Sequence, residues 1–195
     1  WGYHKGIAGY EYNPEKAKQL LAEAGMPDGF KTTLWAMPVP RPYMPQPMKI
    51  AQAIQADLQA VGIEAEIVTY EWGTYLDKVQ RGQHDMALLG WTGDNGDPDN
   101  FLYVLLDKSA TKLPANNIAF YRSDPLHEVL IEAQKSSDQK RRTELYYLAQ
   151  EIVFQDAPWV PLVHAAQTAA FDKNVHGFQL HPTGSKWFQN VEIKE

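Results

Sequence analysis

Hydrophobic and polar residues along the first half of the chain form blocks that predict strand, helix, strand, helix and strand. Apolar residues recur at helical spacing at 48–61 and 73–81. The runs between and after these helices have the β-branched, aromatic or continuously apolar character of strands, which we place at 30–37, 63–70 and 85–91. Strands that alternate with helices are joined by right-handed crossovers, so we expect a parallel-sheet lobe with flanking helices, an α/β fold.

The helix predicted before the first strand has clear start and stop signals. Asn13 is a suitable N-cap, Pro14 suits the first helical position, and Gly25 ends the helix. Its inner face is expected to consist of the apolar residues Ala17, Leu20, Leu21 and Ala24.

The second half of the chain is mostly helical by the same criteria. We predict a short helix at 99–106, a polar loop at 107–117, a helix that starts at Asp124, and a longer helix capped by Ser137 or Asp138. The inward-facing residues of the last two helices are expected to be Leu126, Val129, Leu130, Ala133, Leu145, Leu148, Ala149, Ile152 and Val153.

The carboxyl-terminal part is predicted to be irregular with short strands. One strand is predicted at 159–164, and shorter β-like pieces at 177–180 and 191–193. We therefore divide the chain into an α/β domain, residues 1–170, and a tail, residues 171–195.

Composition and charge exclude several classes of function. The net charge is −6, and no basic run is longer than Lys140-Arg141-Arg142, which argues against nucleic-acid binding. No apolar stretch approaches the roughly 20 residues that span a bilayer, so we expect no membrane insertion, and the polar start at 1–6 predicts neither a signal peptide nor an anchor. The chain has no cysteine and none of the usual histidine, phosphate-binding or dinucleotide motifs, so we expect no cofactor and no metal site.

Two charged loops follow predicted strands and are the main candidates for a binding site. Arg41 follows the first strand, in a proline-rich loop, and Asp94 follows the third strand, in a glycine-rich loop. Ligands of parallel sheets bind outside the carboxyl ends of the strands, so one site can hold both residues. A guanidinium fits a carboxylate and an aspartate accepts from an ammonium, so the pair would suit an amino acid or a short peptide.

Other interpretations of the same residues stay open at this point. Arg41 is alternatively a solvated loop charge, and Asp94 or Asp97 a cap for the helix after Pro98. Aspartates 94, 97 and 99 do not have the spacing of an EF-hand calcium loop. A peptidase or glycosidase that uses Asp94, Asp97 and Glu71 is the rival class, although nothing in the sequence fixes the distance between these carboxylates.

Several segments together resemble a known family. These are the run 12–17 with Leu20-Leu21, the segment 34–43, the segment 69–72, and above all the loop from Gly90 to Asn100, with the sequence Gly-Trp-Thr-Gly-Asp-Asn-Gly-Asp-Pro-Asp-Asn. The chain resembles the dipeptide-binding proteins, which are periplasmic solute receptors of peptide ABC importers and belong to extracellular solute-binding protein family 5. The resemblance covers only the carboxyl-terminal portion of these longer proteins.

The resemblance implies a fold, a function and a set of ligand contacts. The chain would be one lobe of a two-lobed periplasmic binding protein, without catalytic activity, and residues 171–195 would return to the other lobe. Arg41 would receive the carboxylate of a dipeptide or short peptide and Asp94 its amine. Trp35 and Trp91 would form walls of side-chain pockets. Independently of the resemblance, we also expect Tyr43 and Gly93 at the ligand, because they lie in the same two loops and a glycine lets the backbone approach closely. The partner would be a membrane permease, and relatives in this family also bind haem, longer peptides or nickel.

One departure from the family pattern concerns the loop after the acidic segment. The dipeptide-binding proteins carry a cysteine pair there, whereas residues 107–124 of this chain contain none. We therefore expect this loop to be looser than in the family.

Overall fold

The computed structural model describes residues 1–194, and a parallel sheet forms the centre of the lobe. Its strands are β1 (Phe30–Trp35), β2 (Ile63–Val68) and β3 (Met86–Ala87), in the order β2-β1-β3. Both neighbours of β1 run parallel to it, which confirms the predicted fold class. Strand β3 is shorter than predicted, because β1 ends at Trp35 and leaves no backbone for the residues after Leu88 to pair with.

Six α-helices, a 3₁₀ helix at Lys108–Thr111 and a second, two-stranded sheet are the other regular elements of the described chain. The helices are α1 (Pro14–Glu23), α2 (Pro47–Gln59), α3 (Trp72–Gln80), α4 (Asp99–Leu106), α5 (Asp124–Lys135) and α6 (Gln139–Asp156). Strands β4 (Val175–His176) and β5 (Glu192–Ile193) pair antiparallel. No helix within residues 1–194 is both long enough and apolar enough to cross a membrane.

Helix α1 forms as predicted but does not bury the predicted face. The side chain of Asn13 accepts a hydrogen bond from the backbone of Lys16 (2.8 Å), which caps the helix. None of its residues is buried, and Leu20 is 51% exposed. The predicted inner face is therefore wrong for the described chain, in which no other element covers it.

The main core lies between the sheet and helices α2 and α3. Its buried residues include Leu34, Trp35, Met37, Ala51, Ala65, Tyr75, Val79 and Leu88. The hydroxyl of Tyr75 is buried and lies 3.0 Å from the carbonyl oxygen of Trp35 and 2.8 Å from that of Leu88. One side chain of α3 thus joins the carboxyl ends of β1 and β3.

A second core lies among helices α4, α5 and α6. Leu126, Leu130 and Ala133 are fully buried there, as predicted. Leu148 was predicted to face inward but is 45% exposed, and Tyr146 is buried instead. The reason is that α6 is also covered by the start of the chain, so that its buried face is wider than the stripe of aliphatic residues.

The first ten residues run along α6. The backbone N–H of His4 donates to the side-chain oxygen of Gln150 (3.0 Å), and the amide nitrogen of Gln150 donates to the carbonyl of Gly2 (2.7 Å). The ring of Tyr10 stacks on that of Phe154, with 4.6 Å between centroids. This amino-terminal segment, residues 1–10, is therefore attached to the last helix of the lobe.

The cysteine-free loop after α4 is held by buried polar groups. Asp107 is fully buried, and its carboxylate accepts from the backbone N–H of Ser109 (2.8 Å) and from Nδ1 of His127 (2.7 Å). The buried amide of Asn117 donates to the carbonyls of Asp107 and Tyr121. Burial raises the pKa of Asp107, but the hydrogen bonds from Ser109 and His127 outweigh it and hold that pKa below its usual value. The expectation of a looser loop finds no support in this arrangement.

The carboxyl-terminal part is extended and mostly exposed. The predicted strand at 159–164 is wrong: these residues pair with no other strand of the described chain, and Val160 is 80% exposed. Of the two β-like pieces predicted in the tail, the one at 191–193 is confirmed as β5, whereas the one at 177–180 is wrong: the partner of β5 is β4, which ends at His176. The division into 1–170 and 171–195 stays a prediction, and Glu195 lies outside the described residues.

Candidate ligand-binding site

The loop after β1 presents Arg41 over an aromatic ring. Arg41 and Met44 exchange backbone hydrogen bonds of 3.1 and 2.9 Å, which close a tight turn. The guanidinium lies 4.1 Å from the centre of the Trp72 ring, a cation–π contact, and Trp72 in turn stacks on Tyr75. The Nε of Arg41 is buried and has no hydrogen-bond partner within residues 1–194. A buried donor without a partner is rare in proteins, so this Nε is an unusual feature of the loop.

The acidic loop, residues 90–100, is organised around the side chain of Asn100. Its oxygen accepts from the indole N–H of Trp91 (2.9 Å) and from the backbone N–H of Asp94 (3.1 Å). Its amide nitrogen donates to Oδ2 of Asp94 (3.3 Å). The exposed carboxylate of Asp94 is therefore held in place on one side by an uncharged group, which leaves it free to accept from a cation.

Asp97 has a structural role in the same loop. Its carboxylate accepts from the backbone N–H of Asp99 (3.0 Å), at the start of α4, and pairs with Nη2 of Arg142 (2.9 Å) on α6. Burial raises the pKa of Asp97, but the hydrogen bonds from Arg142 and Asp99 outweigh it and hold that pKa below its usual value. Of the two aspartates considered as caps from the sequence, Asp97 is the one at the helix start.

The two charged loops touch each other. Gly90 lies against the ring of Tyr43, and a Cβ at this glycine would come within 2.4 Å of the ring. Burial raises the pKa of Tyr43, against the opposing effects of Arg41 and of the Gly90 backbone. Since Tyr43 and Arg41 belong to one loop and Gly90 and Asp94 to the other, both charges are carried at the same edge of the sheet. That they form one ligand site stays a prediction.

The remaining predicted site residues differ in how much surface they expose. Trp35 is only 4% exposed, and its ring packs near those of Tyr70 and Tyr75, beneath the loops. Trp91 is 40% exposed. Gly93 is half-buried against Phe101, whose ring a Cβ at this position would meet at 2.7 Å. Trp35 thus has little surface for a ligand, and the ligand contacts of all three stay predictions.

Two of the three carboxylates of the rival hydrolase hypothesis, Glu71 and Asp97, are already occupied. Glu71 accepts from the backbone N–H groups of Gly73 (2.9 Å) and Thr74 (3.2 Å) as the N-cap of α3, and these bonds lower its pKa. Asp97 is ion-paired, as described above. A general acid needs a raised pKa, so neither group has the properties of one. Within residues 1–194, no three histidine or acidic side chains are grouped so that they could hold a metal ion.

Sequence reasoning missed three residues that build this edge: Tyr75, Asn100 and Arg142. Tyr75 and Arg142 act through contacts with residues far from them in sequence, and Asn100 acts through its side-chain amide. The spacing of apolar residues indicates neither kind of contact. A signal for Asn100 exists in retrospect, since an amide at the start of a helix is well placed to bond the preceding loop.

Comparison with known proteins agrees with this architecture. Residues 1–112 match the family model described as bacterial extracellular solute-binding proteins, family 5 Middle. The chain is 42% identical over 194 residues to the dipeptide-binding protein of Escherichia coli (strain K12), covering 100% of this chain and 36% of the relative. It is 40% identical over 193 residues to heme-binding protein A of Haemophilus influenzae, covering 99% of this chain and 35% of that protein.

A solved structure shows the same fold. The dipeptide binding protein from Pseudoalteromonas sp. SM9913, in complex with Met-Leu, superposes with a TM-score of 0.88 at 34% identity. The match covers 100% of this chain and 38% of that protein, and the chain spans about 36% of the length of its curated relatives. These relatives are solute-binding proteins and not enzymes, and the chain belongs to the bacterial extracellular solute-binding proteins of family 5.

Proposed function

We propose that this chain is the peptide-binding lobe of a periplasmic receptor that delivers dipeptides or short peptides to the permease of an ABC importer. Arg41 binds the terminal carboxylate of the peptide and Asp94 its terminal amine. The lobe binds its ligand and does not transform it. Residues 171–195 return to a second lobe, which closes over the peptide.

The observation that carries this proposal is the contact between the two charged loops. They leave the carboxyl ends of the neighbouring strands β1 and β3 and meet where Tyr43 packs on Gly90. One loop carries a guanidinium with an unpartnered buried Nε, and the other carries the exposed carboxylate of Asp94. A free peptide has the complementary charges at its two ends. Among the relatives named dipeptide-binding proteins, one is 42% identical in sequence to this chain and another has the same fold.

Enclosure by a second lobe is what would make these charges effective. An ion pair exposed to water contributes about 0 to 1 kcal/mol. Two such pairs fall short of the roughly 4 kcal/mol that corresponds to a millimolar dissociation constant. When a charge pair is desolvated in an interface, losing one partner costs about 2 to 5 kcal/mol.

Haem is a second candidate ligand, because the chain is 40% identical to heme-binding protein A of Haemophilus influenzae. The geometry favours the peptide, since the opposite charges at this edge suit a zwitterion. A competition experiment distinguishes the two candidates. Displacement of a bound peptide by haem at equal concentration would favour haem as the ligand.

The proposal is tested by calorimetric titration of the full-length receptor with Met-Leu and with two blocked forms of it. We expect Arg41→Ala and Asp94→Ala each to weaken Met-Leu binding at least about tenfold, which corresponds to 1.4 kcal/mol. Asp94→Ala should have little effect on N-acetyl-Met-Leu, which lacks the amine. Arg41→Ala should have little effect on Met-Leu amide, which lacks the carboxylate.

Arg81→Ala is the matched control, because Arg81 pairs with Asp77 on the surface of α3 and belongs to neither loop. The affinity of this variant for Met-Leu should equal that of the wild type. Unchanged binding of Met-Leu in both loop variants would refute the zwitterion model. Recovery of free methionine and leucine, detected by mass spectrometry after incubation, would favour a hydrolase instead.

A further inference from the structure

Arg142 connects the acidic loop to the helical core across 45 positions of sequence. Its Nη2 donates to Oδ1 of Asp97 (2.9 Å) and to the hydroxyl of Tyr146 (2.8 Å), and its Nε donates to the carbonyl of Ala133 (3.2 Å). The ring of Trp1 covers the guanidinium, with 5.0 Å from Cζ to the ring centre. The side chain is 20% exposed, so the guanidinium is fixed by groups from α5, α6 and the amino-terminal segment.

Asp97 connects Arg142 to the rest of the acidic loop through further hydrogen bonds. Its backbone N–H donates to the side chain of Asn95 (3.0 Å), and its carboxylate accepts from the N–H of Asp99. The next residue after Asp99 is Asn100, whose side chain holds both the backbone and the carboxylate of Asp94. The position of Asp94 therefore depends on where Asp97 and the start of α4 are held.

Within residues 1–194, the ion pair with Arg142 is the only one that a carboxylate of the acidic loop forms. Asp99 is instead hydrogen-bonded to the uncharged side chain of Gln134, and Asp94 to Asn100. Glycines at 90, 93 and 96 give the loop backbone additional freedom. An unanchored loop of this composition would lose part of its order, and with it the fixed place of Asp94.

We propose that Arg142 is a positioning residue for ligand recognition: through Asp97 it fixes the acidic loop so that Asp94 meets the amine of the peptide. The proposal rests on the proposed function of Asp94. It adds a determinant that lies on α6, outside both ligand-binding loops, and that contacts no ligand itself. A residue that only stabilised the fold would lower the stability of the receptor without changing which peptides it prefers.

The test measures selectivity for the amine. The full-length receptor is titrated with Met-Leu and with N-acetyl-Met-Leu, and the ratio of the two dissociation constants is compared between variants. Arg142→Met keeps most of the packing volume and removes the charge. We expect it to reduce the preference for the free amine about five- to tenfold, which is less than the loss of a charge-assisted hydrogen bond would cause, because Asp94 itself is still present. Arg142→Lys, which keeps the charge but not the forked geometry, should recover part of the preference.

Arg141→Met is the matched control. Arg141 is the preceding residue of the same helix and pairs with Glu132 and Glu144 on the surface, away from the acidic loop. Its variant should keep the wild-type ratio. Asp97→Asn provides a second measurement that does not depend on how well Arg142→Met folds, since an asparagine oxygen can still accept from the backbone N–H of Asp99. It removes the negative charge that pairs with Arg142 but keeps an oxygen that can accept from it, so it should lower the ratio by part of the effect of Arg142→Met. The two substitutions together should lower the ratio by less than the sum of their separate effects, because both remove the same ion pair.

The outcomes separate this inference from the function on which it rests. If Met-Leu binds, and Asp94→Ala abolishes the preference while Arg142→Met and Asp97→Asn keep it, the positioning role is refuted and the proposed function stands. Additive effects of Arg142→Met and Asp97→Asn would also refute the positioning role, since Arg142 would then act by another route. If the wild-type receptor does not distinguish Met-Leu from its acetylated form, both proposals fail together.

Discussion

The hydroxyl of Tyr75 offers a direct test of how the binding edge is held together. It is buried, and it reaches the carbonyl oxygens of Trp35 (3.0 Å) and Leu88 (2.8 Å), where β1 and β3 end. Tyr75→Phe removes this oxygen alone. The ring stays available to stack on Trp72 and to fill the core, so that no cavity larger than a hydroxyl is created.

The expected cost follows from the groups that lose a partner. The carbonyl of Trp35 still accepts from the backbone N–H of Leu88 (2.9 Å), whereas the carbonyl of Leu88 loses its hydrogen bond from the Tyr75 hydroxyl. Leaving a buried acceptor unsatisfied costs about 1 to 3 kcal/mol. With one of the two carbonyls still paired, we expect a loss of about 1 to 2 kcal/mol in the free energy of unfolding. For a chain of this length that corresponds to a fall in Tm of roughly 2 to 8 °C.

Urea denaturation and differential scanning calorimetry of the purified chain measure this loss. The urea midpoint should fall while the m-value stays constant, because the surface exposed on unfolding is unchanged. Tyr12→Phe is the control, since Tyr12 is 75% exposed. That substitution should stay within about 0.5 kcal/mol of the wild type. Equal stability of the two variants would show that the Tyr75 hydroxyl does not hold the strand ends, and the reasoning would fail.

Two further predictions concern stability. Gly25 and Gly29 both have positive φ (+79° and +77°), but only at Gly29 would a Cβ collide, at 1.8 Å from the carbonyl oxygen of Gly62. In urea unfolding, Gly25→Ala should therefore cost about 1 to 2 kcal/mol and Gly29→Ala about 1 to 3 kcal/mol more, and equal costs would contradict the clash. The pKa of Asp107 is lower in the folded than in the unfolded chain. The contribution of its carboxylate to the free energy of unfolding is therefore present above about pH 4 and is lost as the pH falls further. Chemical denaturation at pH 7 and pH 3 should show Asp107→Asn less stable than the wild type by about 1 to 3 kcal/mol at pH 7, with a smaller difference at pH 3; a constant difference would argue against this linkage.

The parallel sheet and its helices could be predicted from the sequence because the spacing of apolar residues is a local property of each element. The length of β3 could not, since it depends on where its neighbour β1 ends. Burial was predicted less well than secondary structure. The exposed Leu20 and Leu148 lie on apolar stripes, but a stripe does not show whether another element covers it. Tyr146 is buried because a distant segment of the chain lies across α6.

The candidate site divides in the same way. The loops of Arg41 and Asp94 could be assigned to one edge from the order of strands and helices, because carboxyl ends of parallel strands lie together. The separate role of Asp97 depends on its pairing with Arg142, and nothing near Asp97 in sequence indicates that partner. The place of Trp35 in the core likewise follows from the surrounding rings and not from its position at a strand end.

The attachment of residues 1–10 to α6 has a consequence for the order in which the lobe is completed. These residues bond to partners that follow them by 144 to 148 positions, at Gln150 and Phe154. During synthesis at about 5 to 20 residues per second, they leave the ribosome on the order of ten seconds before those partners exist. Their contacts with α6 can therefore form only after Phe154 has been synthesised, when the sheet and helices α1 to α5 are already made.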